Sequence, residues 1–450
     1  MGEHFDVAVL GMGPGGEVAA GRLLKAGKNI ALVERELIGG ECAYWACIPS
    51  KTVLRPPEAR TEADRAAGVS GARLNWAKTS AYRDYMIRHL DDTAQIEGYT
   101  RHGATVIKEQ ARITGPGRIR AGDREITAEH IIVATGSDPV TPHLEGSASL
   151  PVWTNRDTFT ATSLPERAVV VGGSAVGIET ATFLARFGVE VTLVHRGAHL
   201  LGREDPRVGQ LAHQHLTEAG ANIRLSSTAH RVRANGAAAV VDLDDDGTAI
   251  PADVLVFATG RTPRSGGLGL ETVGARLGDR GQVLVDRHCR AGENLWAIGD
   301  VTGIMPFTHV AKYQGRIAAD AILGHPRPAA YEGIPRVVFG DPEIAAVGLT
   351  RAQADARGLR TQAVELDLAQ AITRPWTYEE DPRGRLGILA DLDAGTLVGA
   401  WAVAPLAGEW IHHAALAIRA RIPITTLLDQ VAQYPTYHEA YQAALDSLAL

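Results

Sequence analysis

Two cysteines five positions apart are the residues of this chain best suited to redox chemistry. Cys42 and Cys47 lie in the segment GGECAYWACIPSK, residues 39–51, and Lys51 adds a positive charge four residues beyond Cys47. An unperturbed thiol is only a few per cent thiolate at neutral pH, and a nearby cation raises that fraction. In an ideal helix this spacing separates the two Cα atoms by about 8–9 Å, whereas a disulfide needs about 4.4–6.8 Å. Either the pair is unlinked, or the first cysteine lies at a distorted helix start, for which the preceding glycines supply a flexible entry.

The cysteine count favours catalysis over a structural role. The chain has three cysteines among 450 residues, too few for a disulfide scaffold. The pair lacks the tight Cys-x-x-Cys spacing of a zinc site, and no metal site is predicted. Cys289, alone in VDRHCRAG, is expected to be an ordinary packed thiol.

Composition excludes several classes of function. The net charge of -7 argues against a nucleic-acid-binding protein, which would carry a basic face. No apolar run reaches the roughly 18 residues of a membrane span. The sequence enters a strand pattern directly after residue 4, without the regions of a signal peptide. These features predict a cytoplasmic protein that binds neither nucleic acid nor membrane.

A glycine-rich turn precedes the cysteines. Gly11, Gly13 and Gly16 meet the pattern Gly-x-Gly-x-x-Gly between an apolar strand and a helix, and Glu34 ends the next strand. The first glycine permits a tight turn, the second lets the backbone approach a pyrophosphate, and the third lets the helix pack on the strand. The acid is placed to accept from a ribose hydroxyl. This region therefore predicts a dinucleotide site.

The same strand, turn and helix recur at residues 167–188. Gly172 and Gly177 fit the pattern, but Ser174 occupies the middle glycine position. The strand that follows ends in His195 and Arg196, and no carboxylate appears before residue 204. A cation there suits a 2′-phosphate, whereas NAD sites usually place an acid at this point. NADPH is therefore preferred over NADH, which stays possible.

These repeated units predict an α/β chain with two Rossmann-like, doubly wound dinucleotide-binding domains and a separate C-terminal α+β domain. A stretch rich in Pro, Ser and Thr at 137–166 is interpreted as a linker. The predicted bounds are 1–150 and 266–333 for the first dinucleotide-binding domain, 151–265 for the second and 334–450 for the C-terminal domain.

Together, the motifs GMGPGG, GGECAYWACIPSK, ATGS, GIE, ATGRTPR, AIGDVTG and YPTYHEAY span the chain. In this order they resemble the class I pyridine nucleotide–disulfide oxidoreductases, which include dihydrolipoamide dehydrogenase, glutathione reductase and mercuric reductase. The resemblance implies that the first domain is the FAD-binding domain, that the second is the NAD(P)-binding domain and that the C-terminal α+β domain is a dimerisation domain.

The resemblance also implies roles for single residues. Cys47 is the thiol nearer the flavin and Cys42 is the interchange thiol that attacks the acceptor. Lys51 lies near the flavin and pairs with Glu179, while Asp300 holds the ribityl chain. Further cofactor-binding positions are Ala111, Thr135, Gly136 and Gly260.

Three departures from the family pattern limit the functional prediction. Tyr434 stands where thiol-handling members keep a histidine acid–base, although Glu439 is in place, and both would serve the other subunit of a homodimer. Mercuric reductase also has a tyrosine here, but it carries a C-terminal cysteine pair, whereas this chain ends DSLAL. Glu41 replaces a common threonine. Tyr44 and Trp45 are bulky, and they either line a face for a planar acceptor or pack in the core.

The leading hypothesis is an NAD(P)H-dependent FAD enzyme that cycles Cys42–Cys47 and reduces a disulfide, quinone or metal compound. The alternatives are a dihydrolipoamide dehydrogenase-type reductase, a transhydrogenase or diaphorase with dispensable cysteines, and a redox-sensing flavoprotein with little turnover.

Overall fold

A computed structural model describes residues 3–235, 238–244 and 247–449. By internal contacts the chain forms two compact units. The first comprises residues 1–50, 81–140 and 260–330, and the second comprises 51–80, 141–259 and 331–450. The predicted domain limits at residues 1 and 450 lie outside the described residues, and the domain bounds predicted from sequence stay predictions.

The first unit is built on a parallel sheet. Its five parallel strands are, in spatial order, Leu295–Ala297, Arg124–Val133, Glu3–Leu10, Ile30–Val33 and Thr105–Ile107. Strand Arg290–Gly292 adds an antiparallel edge, and the hairpin Ala111–Gly115 with Arg118–Ala121 pairs onto the second of these strands. The helices assigned wholly to this unit are Pro14–Lys25, Gly40–Tyr44, Thr93–Arg101 and Thr308–Ile322.

The register brings the carboxyl ends of these strands to one edge. Leu10 lies opposite both Val33 and Val133, and Val133 lies opposite Ala297. The central strands do not alternate between buried and exposed residues, because other elements cover both faces of the sheet. Ligands of such sheets bind beyond the carboxyl ends of the strands. The first glycine turn, Glu34 and the segment that holds Asp300 all follow this edge.

The second unit contains another parallel sheet. Its strands are Asn222–Leu225, Glu190–His195, Arg167–Val171, Val254–Phe257 and Val152–Trp153, in that order. The helices Asn155–Thr160, Ala175–Arg186 and Pro206–Glu218 accompany it. A separate antiparallel sheet holds the strands Ala229–Asn235, Ala238–Leu243 and Ala249–Ala252.

The interpretation of residues 137–166 as a linker was wrong in part. Val152–Trp153 is an edge strand paired with Val254–Phe257. Thr154 then starts helix Asn155–Thr160 with a capping box completed by Asp157. A two-residue strand and a six-residue helix are too short to show a clear hydrophobic period in sequence.

The remainder of the second unit has α+β architecture. Its five antiparallel strands are, in spatial order, Arg336–Val338, Glu343–Gly348, Thr396–Ala404, Arg385–Asp391 and Thr361–Asp367. Its helices are Arg351–Ala356, Leu368–Ala371, Arg374–Tyr378, Ala407–Trp410, His412–Ala420, Ile424–Leu428 and Glu439–Asp446. Two further helices, Cys47–Arg65 and Trp76–Met86, have residues in both units. The fold class predicted from sequence is confirmed.

Among the residues that the structure describes, none of the helices combines the length and apolar composition that a bilayer crossing requires.

Candidate active site

The first glycine turn has the shape of a phosphate cradle. A side chain at Gly11, whose φ is +99°, would overlap the carbonyl oxygen of Ala134, and one at Gly16 would overlap the carbonyl oxygen of Gly11. A Cβ at Gly13 would meet no described atom within 4 Å. Gly13 is also the N-cap of helix Pro14–Lys25, where unpaired backbone N–H groups favour an anion. The turn therefore fits the pyrophosphate of a dinucleotide.

The Glu34 carboxylate is fixed beside this turn. One oxygen accepts a hydrogen bond from the Met12 N–H and the other from the Glu36 N–H, both at 2.7 Å. Each carboxylate oxygen has a second lone pair. Glu34 is buried and held in place, which suits the adenosine ribose of FAD.

A break between two helices positions the cysteines. Cys42 lies in helix Gly40–Tyr44, which ends before Trp45, and Cys47 begins the next helix. Gly39 and Gly40 enter this segment with φ angles of +121° and +59°. The helix start is thus distorted, and the two cysteines are also unlinked, as free thiols within hydrogen-bonding reach of each other.

The two sulfurs have unequal surroundings. The hydrogen bond to Cys47 is the largest cause that raises the pKa of the Cys42 thiol, and burial adds to it. Thr308 and the charge of Lys312 act in the opposite direction. Thr308 Oγ1 lies 3.3 Å from Cys47 Sγ. When the pair loses one proton, the remaining proton is therefore held by Cys42.

A polar network connects Glu41 to Asp300 in the same unit. Asp300 lies in the turn Gly299–Thr302 and accepts a 2.6 Å hydrogen bond from the Ser137 hydroxyl. The Arg261 guanidinium donates to the Ser137 hydroxyl at 2.7 Å and lies 3.5 Å from the Glu41 carboxylate. The departure at Glu41 is therefore accompanied by a neighbouring cation.

Four other predicted cofactor positions lie in this unit. Thr135 donates its hydroxyl to the carbonyl of Arg264 at 2.6 Å. Gly136 and Gly260 have φ angles of +76° and +129°, and a Cβ at either would meet no described atom within 4 Å. Ala111 is buried at the start of strand Ala111–Gly115.

The second unit contains an ion pair between Lys51 and Glu179, with 2.8 Å between Nζ and the carboxylate. Glu179 is buried on helix Ala175–Arg186 and also accepts from the Phe339 N–H at 3.1 Å. The Lys51 ammonium lies 4.6 Å from the centre of the Phe339 ring. These contacts hold the lysine side chain in a defined place.

The second glycine turn keeps its shape despite Ser174. A Cβ at Gly172 would overlap the Ala258 carbonyl, and one at Gly177 would overlap the Gly172 carbonyl. Ser174 is the N-cap of helix Ala175–Arg186: its hydroxyl accepts from the Gly177 N–H at 3.5 Å and donates to the Ala258 carbonyl at 2.9 Å. The serine therefore stabilises the helix start.

The two residues at the end of the following strand differ in availability. His195 Nδ1 accepts from the Gly173 N–H at 3.2 Å, and burial lowers the pKa of this histidine. The ring is therefore neutral, and its Nδ1 is already hydrogen-bonded to the backbone of the glycine turn. Arg196 is exposed. Glu204 is the first acid after Arg196 in the sequence. Its two carboxylate oxygens accept hydrogen bonds from Nε and Nη2 of Arg336, both at 2.7 Å, so this carboxylate is already paired.

The predicted acid–base segment lies at the surface of the second unit. Tyr434 is 61% exposed, and the Glu439 carboxylate accepts from the Thr436 N–H at 2.9 Å. The His438 ring packs 4.2 Å from that of His413 and also contacts Tyr441. Burial lowers the pKa of His438, and it lowers the pKa of His413 to about 4. These two histidines are neutral members of an aromatic cluster at neutral pH.

Of the two alternatives for Tyr44, the structure supports packing in the core over lining an acceptor face. Its side chain is fully buried, and its hydroxyl donates to the Ile38 carbonyl at 3.1 Å. Trp45 is partly exposed, so its role stays a prediction. Sequence reasoning missed Thr308 and Lys312 beside the thiols. Their signal was an i, i+4 pair at the start of a helix directly after the AIGDVTG motif.

Comparisons with known proteins agree with this geometry. Residues 5–315 match the family described as pyridine nucleotide-disulphide oxidoreductase, and residues 334–445 match its dimerisation domain. A mercuric reductase of Streptomyces lividans is 32% identical over 98% of this chain and 95% of its own length. A dihydrolipoyl dehydrogenase of Bacillus subtilis is 30% identical over 98% and 96%, respectively.

A solved structure shows the same likeness over the full length. It is a Cu(II) complex of a cysteine-to-serine mutant of the HOCl-induced flavoprotein disulfide reductase RclA from Escherichia coli. The TM-score is 0.89 with 26% identity, and the match covers 100% of both chains. The family predicted from sequence is confirmed, as is its class of activity. The chain belongs to the FAD-dependent pyridine nucleotide–disulfide oxidoreductases.

Proposed function

We propose that this enzyme passes electrons from NADPH through FAD to the Cys42–Cys47 pair, and from there to a disulfide, quinone or metal acceptor. The observation that carries the proposal is the pair itself. Two thiols in hydrogen-bonding reach lie at a helix break, in the same unit as a turn that fits the FAD pyrophosphate. A transhydrogenase or diaphorase would have no need for this arrangement.

Residues of the first unit would hold FAD. Gly11, Gly13 and Gly16 would receive the pyrophosphate, Glu34 the adenosine ribose and Asp300 the ribityl chain. Bound FAD supplies two-electron exchange between nicotinamide and a disulfide. Lys51, held by its ion pair with Glu179, would be the lysine that the family resemblance assigns to the flavin.

The cysteines would divide the work of the reductive step. Two electrons and one proton convert the disulfide to one thiol and one thiolate. Because the pKa of Cys42 is raised by its bond to Cys47, the proton would reside on Cys42 and the charge on Cys47. As the Cys42 sulfur attacks the acceptor, its proton would pass to the reduced acceptor or to solvent, and Cys47 would then close the disulfide again.

The second site would take NADPH in preference to NADH. Arg196 is exposed at the strand end where the 2′ substituent of the adenosine ribose would lie. A guanidinium binds a phosphate with two parallel hydrogen bonds. The neutral His195 would support the glycine turn of this site through its hydrogen bond to Gly173.

The acceptor is expected to need no histidine acid–base. Tyr434 offers a phenol in place of an imidazole, and a phenol is a poor base at neutral pH. The relatives include mercuric reductases, and RclA forms a Cu(II) complex, so metal ions belong among the candidate acceptors. The match to the dimerisation domain supports a homodimer, to which Tyr434 and Glu439 would contribute from the partner side. A cytoplasmic location stays a prediction.

An anaerobic titration with NADPH tests the role of the pair. The wild type should take up four electrons per FAD, two of them in the disulfide, and develop a long-wavelength thiolate–flavin band. Cys47→Ser should take up two electrons and lack the band, whereas Cys289→Ser should behave as the wild type. A band that persists in Cys47→Ser would refute the assigned role.

A panel of acceptors identifies the second half-reaction. Lipoamide, glutathione disulfide, a quinone, Hg(II) and Cu(II) are each supplied with NADPH to the wild type and to Cys42→Ser. The proposal expects the productive acceptor to lose at least about tenfold in kcat/KM when the interchange thiol is removed. Unchanged turnover in that variant would favour a cysteine-independent diaphorase, and preference for lipoamide would favour a dihydrolipoamide dehydrogenase-type enzyme.

A further inference from the structure

We propose that Lys312 is the cation that stabilises charge on the interchange thiol Cys42, and that Glu17 moderates it. The inference rests on the proposed function, since it assigns Cys42 the exchange step. It supplies what Tyr434 does not, namely a positively charged group beside the sulfur that meets the acceptor. Lys312 acts on the Cys42 sulfur through its charge, so its role in the exchange step is indirect.

The start of helix Thr308–Ile322 brings Lys312 to the cysteines. Thr308 is the first residue of this helix, and its hydroxyl lies 3.3 Å from Cys47 Sγ. Lys312 follows by four residues, so both side chains project from one face of the helix. The dipole of this helix adds a positive partial charge at the same end.

Close packing fixes this helix against helix Pro14–Lys25. A Cβ at Gly15 would come within 3.0 Å of the Ala311 carbonyl oxygen, and one at Gly315 within 2.5 Å of the Gly15 carbonyl oxygen. Two glycines thus allow the backbones to approach. Lys312 directly follows Ala311, and Glu17 lies two residues after Gly15, so the lysine is near enough for its charge to act on the glutamate.

The charges around Lys312 act in two directions. Its positive charge lowers the pKa of Cys42, against the raising effect of Cys47 and of burial. It also acts on Glu17, whose pKa is raised mainly by burial, and Arg88 acts on the same carboxylate. The side chains of Tyr44 and Tyr99 also lie near Glu17. When ionised, Glu17 offsets part of the field of Lys312 at the thiols.

Alkylation of the reduced holoenzyme by iodoacetamide measures the thiolate directly. The background is Cys47→Ser, in which Cys42 is the one thiol left of the pair. Added Lys312→Gln is expected to raise the apparent pKa of Cys42 by about 0.5–1 unit, so the rate at pH 7 falls about 3- to 10-fold. Lys312→Arg should restore the rate to within about twofold. Because Lys312 is exposed, 0.5 M NaCl should reduce the difference.

Glu17→Gln should have the opposite effect and raise the alkylation rate of Cys42 at pH 7 about 2- to 3-fold. Lys25→Gln, an exposed lysine at the far end of helix Pro14–Lys25, is the matched control and should change nothing. An unchanged rate in Lys312→Gln, or an equal loss in Lys312→Arg, would overturn the inference. Since alkylation needs no turnover, failure of the proposed function shows separately, as full activity of Cys42→Ser.

Discussion

The carboxyl group of Glu343 provides a prediction about stability that is independent of the redox chemistry. Glu343 begins strand Glu343–Gly348, and one of its oxygens accepts from the Gly408 N–H at 2.7 Å. Burial is the largest cause that raises its pKa, to about 7, and the carboxylates of Glu58, Glu409 and Glu62 add to it. The neutral acid is therefore the form that the folded chain prefers.

The sign of the pH effect follows from linkage. The folded pKa is raised from 4.5, so the stability contribution is fully present below about pH 4.5 and is lost as the pH rises through about 7. The difference of about 2.5 units at about 1.4 kcal/mol each is about 3.5 kcal/mol, an upper bound because water reaches part of the side chain. Glu343→Gln keeps the acceptor for Gly408 and removes the titration.

Thermal melts of the holoenzyme at pH 5 and pH 8 test this reasoning. At pH 5 the variant and the wild type should melt within about 1 °C. At pH 8 Glu343→Gln should melt about 2–3 °C higher, since the unfolding entropy of a chain of this size is about 1 kcal/mol per kelvin. Glu380→Gln, an exposed acid of the same unit, should show no such pH-dependent gain. An equal shift at both pH values would refute a neutral Glu343.

Three further changes test the cofactor sites and the acceptor. Gly13→Ala should leave the fold intact by circular dichroism, because its Cβ meets no described atom, but should weaken FAD binding to the apo-protein at least about tenfold. Arg196→Glu should lower kcat/KM for NADPH about 10- to 100-fold and raise that for NADH; equal loss with both nucleotides would contradict a 2′-phosphate contact. Tyr434→His should create turnover of lipoamide or glutathione disulfide, about 100-fold above the wild type and dependent on a group near pKa 6.5. If neither disulfide is turned over, the tyrosine does not exclude thiol chemistry.

The sequence predicted the fold class because both parallel sheets depend on local patterns. Each glycine turn lies directly between a strand and a helix, so spacing alone places Gly11, Gly13 and Gly16 at a strand end. The strand Val152–Trp153 was missed, since two residues carry no period and only pairing with residues 254–257 defines them. The helix break between the cysteines was left open, because it depends on positive φ angles at Gly39 and Gly40.

Parts of the candidate site that depend on distant residues escaped prediction. Arg261 lies 220 positions after Glu41, yet the two side chains are 3.5 Å apart. Thr308 is separated from Cys47 by 261 positions and touches its sulfur. No period or spacing in a single sequence reports such pairs. Each pair is close because the fold brings the strand ends to a common edge.

The departures from the usual motifs at Glu41, Ser174 and Tyr434 are physically unequal. Glu41 is accompanied by Arg261, and Ser174 caps the helix whose start it alters, so each is accommodated by its own surroundings. Tyr434 remains 61% exposed, and the nearby His438 is turned into an aromatic cluster. Because Tyr434 is exposed, its substitution is expected to affect the electron acceptor that approaches it. We therefore expect the choice of acceptor to depend on Tyr434 and on the cation beside Cys42, more than on either dinucleotide site.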